Sequence, residues 1–171
     1  VCEETSFDVK KICMYKPLFS SSYYMEKGGF AMAAIQFATN SLPFHLFQDY
    51  MNLTVTFLKY SNNYENQKDD FLIQYAREDD DYYAVQLIKA LEIGPSGPLK
   101  SIFTDYWNYM CQFGIAENTE HYFGGLCMNG NELIEKYRNQ DGSRNEFVYK
   151  LVMAYVEWKG YEMNQKSVVA A

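Results

Sequence analysis

Positive charge is scarce in this sequence of 171 residues and is nowhere concentrated. The chain carries 15 Lys and Arg against 22 Asp and Glu, which gives a net charge of −7, and its longest basic run is the pair Lys10-Lys11. Nucleic-acid binding needs a basic footprint, because an acidic surface repels the phosphate backbone. We therefore expect no nucleic-acid partner.

The sequence also lacks a long apolar run. The best candidate, residues 28–38, is interrupted by Gln36 and is shorter than the roughly 20 residues that cross a bilayer. We expect no membrane span. The chain starts at Val1 without a methionine or a signal-peptide pattern, which favours a processed precursor or a trimmed chain.

Motifs for catalysis and cofactor binding are missing as well. The glycine pairs at 28–29 and 124–125 have neither a phosphate-loop lysine nor dinucleotide-binding spacing, and no Gly-x-Ser-x-Gly turn occurs. A nucleophile built from Cys127 and His121 would lie beside glutamates, which disfavour a thiolate. The sequence predicts a protein that is not an enzyme, with no catalytic residue and no cofactor.

Metal-binding patterns are equally weak. The chain has only 2 histidines and no Cys-x-x-Cys pair, so a zinc site is not expected. The acidic run at 78–81 lacks the alternating oxygen ligands and the central glycine of a calcium loop. Negative charge at a helix N-terminus explains this run better, and no metal site is predicted.

The chain does have four widely spaced cysteines: Cys2, Cys13, Cys111 and Cys127. An even number favours two disulfides in a secreted protein, although four buried thiols in a cytosolic protein are the alternative. A straight helix between Cys2 and Cys13 would keep them too far apart to bond, so both would pair with Cys111 and Cys127. A looped N-terminal segment would instead allow two local bridges, and the connectivity stays open.

Two further features fit an extracellular protein. Asn52 opens the triplet Asn-Leu-Thr, a glycosylation acceptor. Tyr82 and Tyr83 directly follow an acidic run, and we treat both as candidates for tyrosine sulfation. Together with the cysteines, these features predict a secreted glycoprotein.

The clearest structural element is a central helix over residues 98–113. Pro98 stands where a helix tolerates its missing N–H, Gly114 ends the apolar pattern, and apolar residues recur every three or four positions between them. A second strong helix begins at the capping box Ser143-x-x-Glu146 and ends at Gly160. These two helices predict an all-α fold.

The remaining segments complete a disulfide-stapled bundle of five to seven helices. Shorter helices are expected near Phe7 and over 30–39, 43–58, 82–91 and 132–138, with a loop over 115–130. The alternation and β-branched residues of 52–76 leave a β-hairpin there as the main alternative. We expect one helical domain over 1–160 and a frayed C-terminal tail over 161–171.

Aromatic residues are unusually abundant, with 16 Tyr, 12 Phe and 2 Trp. Most are expected in the core, but a surplus would bind a partner. The candidates for this role are Tyr106, Trp107, Tyr155 and Trp158. The predicted function is therefore protein–protein contact by a secreted, non-enzymatic effector, signalling or recognition factor. The alternative is a carrier of a small apolar ligand in an aromatic-lined helical cavity.

Overall fold

A computed structural model describes residues 41–76, 81–117 and 119–169 of the chain. These residues form six helices and, within those ranges, no strand. The helices are α1 (Leu42–Lys59), α2 (Ser61–Tyr75), α3 (Asp81–Ile93), α4 (Leu99–Gln112), α5 (Glu120–Lys136) and α6 (Glu146–Val169). The all-α prediction is confirmed for this part of the chain.

The alternative of a β-hairpin at 52–76 is wrong. Helices α1 and α2 cover this segment and are separated only at Tyr60. The threonines that favoured a strand fit the helix, because Thr54 and Thr56 donate their hydroxyls to backbone carbonyls four residues earlier. Burial of one side of α1 outweighs their β-propensity.

The segment expected as a loop over 115–130 instead contains most of α5. Thr119 caps this helix, since its hydroxyl accepts a hydrogen bond from the Tyr122 amide at 3.1 Å. The expected short helix over 132–138 is the last part of α5. Glycine lowers helix propensity, but packing of Tyr122 and Leu126 into the core stabilises the helix.

Helix α6 begins as expected but with a different cap. The Asn145 side chain accepts a hydrogen bond from the Val148 amide at 3.2 Å, whereas Ser143 bonds to Asp141 in the preceding turn. Asn145 is therefore the N-cap, and the capping box at Ser143 is wrong.

The far end of α6 also differs from the expectation. The helix continues through Gly160 to Val169, because a helical glycine costs only about 1 kcal/mol relative to alanine. The division into a domain over 1–160 and a tail stays a prediction. The helices expected near Phe7 and over 30–39 lie outside the described residues.

The boundaries of α1, α3 and α4 agree with the sequence pattern. Ser41 caps α1 by accepting from the Phe44 amide at 3.4 Å. Gly94 follows α3 with a φ of 107°, a conformation that favours glycine after a helix. Helix α4 lies within the expected 98–113. Apolar spacing and glycine punctuation therefore predicted three helices closely.

Tyrosine hydroxyls connect α4 to its neighbours across the core. A buried hydroxyl needs a hydrogen-bond partner within the protein, because water cannot reach it. A backbone carbonyl has two lone pairs, so a carbonyl of the facing helix can accept a hydrogen bond from a tyrosine in addition to its helical one. The four bonds, of 2.8–2.9 Å, run from Tyr106 to Leu151, Tyr109 to Leu126, Tyr122 to Phe113 and Tyr155 to Met110. Helices α5 and α6 are thereby fixed against α4, while α3 packs along α6.

Candidate functional site

Helix α5 presents two different faces. Its inner face is buried against α4 and α6, and this anchors the helix rigidly. The buried residues are Tyr122, Leu126, Gly130, Leu133 and Ile134. The contacts of the inner face therefore hold the outer face in place.

The outer face of α5 lacks charge along most of its length. No charged residue occurs from 122 to 131, although the chain as a whole is strongly acidic. Phe123 is 40% exposed and Met128 is 61% exposed, and Gly124 and Cys127 are exposed beside them. We call these four residues the α5 strip.

Gly124, which has no side chain, lies within the α5 strip. A β-carbon on this glycine would meet no atom within 4 Å, so the space above the backbone is open. On a helix, the residues three and four positions before and after Gly124 are its neighbours on the surface. Those residues are Glu120, His121, Cys127 and Met128, and we call the opening the Gly124 notch.

One acidic residue lies at each end of this surface. Glu120, Gly124, Met128 and Glu132 follow one another at four-residue spacing, so they form one row along the helix. Twelve residues of helix separate the two glutamate α-carbons by about 18 Å. Both glutamates are exposed, and neither forms an ion pair with a described residue.

The nearby charges at the end of α5 are compensated. Arg138 forms hydrogen bonds of 2.6 Å to both carboxylate oxygens of Glu135 and holds the pKa of that carboxyl below its usual value. Lys136 pairs with Asp105 of α4 at 2.6 Å. Among the described residues, Glu120 and Glu132 are therefore the acidic residues of α5 that have no ion-pair partner.

The local bridge between Cys111 and Cys127, which the sequence left as an alternative, is not formed. Cys127 is exposed on α5 and Cys111 is half-buried on α4, and no disulfide joins the two. Partial burial raises the pKa of the Cys127 thiol, which disfavours the thiolate. Cys2 and Cys13 lie outside the described residues, so the pairings that involve them stay predictions.

The aromatic residues that the sequence favoured for binding lie elsewhere. Tyr106, Trp107 and Tyr155 are buried in the core, and Trp158 is half-buried. Trp158 stacks on Tyr83, with ring centroids 4.5 Å apart and an interplanar angle of 11°. These four rings therefore belong to the core or to its boundary. The exposed apolar residues Phe123 and Met128 lie instead in the segment that was expected to be a loop.

A small cleft lies between the first turn of α1 and Trp158. Its walls include Leu42, Pro43 and Tyr83, and its volume is about 20 Å³. That is room for about one water molecule. This cleft is far smaller than the roughly 300 Å³ at which small-molecule sites begin.

The candidate modification sites lie on different parts of the described chain. Asn52 is exposed on α1. The Tyr83 hydroxyl is buried and lies 2.9 Å from the Tyr106 hydroxyl, so a sulfotransferase would reach it only if α3 opened. The Tyr82 side chain is outside the described residues. Glycosylation and sulfation both stay predictions.

The described residues also bear on metal sites and membrane spans. No group of three or more His, Cys, Asp and Glu residues is placed there to hold a metal ion. None of the helices in that part of the chain has the length and apolar character to cross a bilayer.

Comparison of the chain with protein-family models, curated proteins and solved structures found no significant match.

Proposed function

We propose that the protein is a secreted, non-enzymatic binding protein that acts by contact with another protein. The uncharged, exposed α5 strip on a strongly acidic chain is the observation that carries this proposal. Interface centres are depleted in charge and enriched in aromatic residues and methionine. An effector, signalling or recognition factor would use such a surface.

The position of the α5 strip supports this function. Met128 projects from the exposed side of α5 and Phe123 from the edge of that side, while the inner side is held by core contacts and by the Tyr109 hydroxyl. A fixed surface loses little conformational entropy when it binds. Methionine adapts its shape to a partner, while phenylalanine supplies a rigid apolar contact.

The alternative function, a carrier of a small apolar ligand, has less support. Rings in the core pack against one another: Phe47 stacks on Trp107 at 5.0 Å, and Phe103 meets Phe147 edge to face at 6.1 Å. The cleft beside Trp158 has a volume of only about 20 Å³. A carrier would need these rings to separate.

Paired variants test the proposed contact surface. We would immobilise the wild-type protein, Phe123→Glu and Ile73→Glu, and compare the proteins that each retains from the extracellular fluid of the source. Ile73 is 81% exposed on α2, so Ile73→Glu adds the same charge away from the α5 strip. The proposal expects a protein retained by the wild type and Ile73→Glu and lost from Phe123→Glu.

Equal retention by the wild type and Phe123→Glu would contradict the α5 strip as the contact surface. Native mass spectrometry tests the carrier alternative on the same material. A small organic molecule that leaves on unfolding would favour a carrier. The purified chain mass alone would favour the protein-binding function.

The proposed location has its own test. Native material would be treated with a thiol-alkylating reagent before reduction, and its mass compared with and without enzymatic deglycosylation. Secretion predicts protected Cys2 and Cys13 and a glycan on Asn52. Four alkylated thiols and an unmodified Asn52 would contradict the extracellular location.

A further inference from the structure

We propose that the partner presents an amphipathic helix with a central apolar side chain and with Lys or Arg on both sides of it. The apolar side chain would enter the Gly124 notch, and the cationic side chains would pair with Glu120 and Glu132. This inference rests on the proposed function and specifies the partner's chemistry at the same surface.

The shape of the notch favours a side chain that arrives from a helix. Four residues surround Gly124 at helical spacing, and the open space above its backbone forms a hole between them. Knobs-into-holes packing places one apolar side chain of a facing helix between four residues, and the missing side chain of Gly124 leaves additional room for it. Cys127 and Met128 follow Gly124 by three and four residues and are both exposed, and the exposed Glu120 precedes it by four.

The charges determine which helix fits. Glu120 and Glu132 end the row on α5 without an ion-pair partner among the described residues. A facing helix that crosses α5 at about 20°, parallel or antiparallel, stays alongside it over the distance of about 18 Å between the α-carbons of Glu120 and Glu132. Gly124 lies four residues from Glu120 and eight from Glu132. Cations about four residues on one side of the apolar residue and about eight on the other would therefore reach both carboxylates.

A second copy of this chain is a poor occupant. An antiparallel pairing of two α5 helices brings the Glu120 end of one copy against the Glu132 end of the other. Like charges at an interface disfavour association, and the net charge of −7 on each chain adds to that repulsion. Charge complementarity therefore favours a basic partner.

A displayed peptide library tests this partner chemistry directly. Random 18-residue peptides would be selected on the full chain and counter-selected on Gly124→Leu, which fills the notch. Leucine is a better helix former than glycine, so this variant is expected to fold. We expect the selected peptides to carry a central apolar residue, with Lys or Arg more frequent than Asp or Glu on both sides.

Charge variants measured with a selected peptide provide the second step. Glu120→Gln/Glu132→Gln should weaken binding about fivefold, since exposed ion pairs contribute about 0.2–1 kcal/mol each. Asp69→Asn/Asp70→Asn removes the same charge from exposed positions on α2 and should leave the affinity unchanged. Added salt should reduce the difference between wild type and the glutamate variant.

Each outcome is decisive for this inference. Selected peptides without a cationic excess, or an unchanged affinity in Glu120→Gln/Glu132→Gln, would overturn the basic partner. Peptides that bind Gly124→Leu as well as wild type would overturn the notch. Failure of the proposed function is recognised separately, because Phe123→Glu would then retain the same proteins as the wild type.

Discussion

Gly130 of α5 lies directly against Val152 of α6. A β-carbon at Gly130 would come within 2.7 Å of the Val152 Cγ1 atom and within 3.0 Å of the Tyr109 hydroxyl oxygen. We expect Gly130→Ala to lower the free energy of unfolding by about 1–3 kcal/mol, because overpacking forces the helices apart. Urea unfolding measures this change.

The second variant in this test is Val152→Ala, which removes the methyl group nearest to Gly130. In the double variant, the cost of Gly130→Ala should be smaller than in the wild-type background. Equal costs in both backgrounds would show that α5 and α6 do not approach each other at this point.

Gly124 provides the opposite prediction on the same helix. A methyl group added to its α-carbon would meet no atom within 4 Å, so Gly124→Ala should stabilise the protein by about 0.5–1 kcal/mol through helix propensity. Gly160→Ala in α6 is the matched control, because a β-carbon at Gly160 also meets no atom within 4 Å. A loss of stability in Gly124→Ala alone would show that the notch is filled in the free protein.

The Tyr155 hydroxyl donates to the backbone carbonyls of Met110 and Phe113, at 2.9 and 3.1 Å. Tyr155→Phe leaves a buried carbonyl without this donor, and we expect a loss of about 1–3 kcal/mol. Tyr50→Phe is the control, because the buried Tyr50 hydroxyl has no hydrogen-bond partner in the described part of the chain. This change should be neutral or stabilising, and equal losses in both variants would contradict the hydrogen-bond assignment.

Alkaline pH should unfold the protein cooperatively. Burial raises the pKa of four core tyrosines above the ordinary value of 10.0: Tyr50, Tyr83, Tyr106 and Tyr155. Above that value the unfolded chain loses protons that the folded chain keeps, so stability falls as pH rises. Each such tyrosine contributes about 1.4 kcal/mol per pH unit, and the full stabilisation is present below pH 10.

Ultraviolet absorbance and circular dichroism check this prediction in one titration. Tyrosinate absorbance should rise steeply at the pH at which the helical signal is lost. Ionisation of all the tyrosines with the helical signal intact would contradict their burial.

Much of the fold followed from apolar spacing and helix punctuation. Pro98 and Gly114 located α4, and Gly94 located the end of α3, because each residue has a local backbone reason for its position. Helix α5 could not be found in the same way. Its glycines indicated a loop, and its stability depends on core contacts of Tyr122 and Leu126 that are distant in sequence.

The candidate site was missed for the same reason. Phe123 and Met128 are separated by five positions, and only a helix places them at the edges of one exposed surface around Gly124. The available signal was Thr119 as a helix cap followed by a segment without charge. Conversely, only the abundance of aromatic residues favoured Tyr106 and Tyr155 for binding, whereas the core uses both their rings and their hydroxyls.

Amide hydrogen exchange tests the central claim most directly. The full chain would be measured alone and with a selected basic peptide that discriminates against Gly124→Leu. We predict that exchange slows within 119–136, which contains α5, while 61–75, which contains α2, is unchanged. Slower exchange in α2, or no change in α5 at a saturating peptide concentration, would contradict binding at the Gly124 notch.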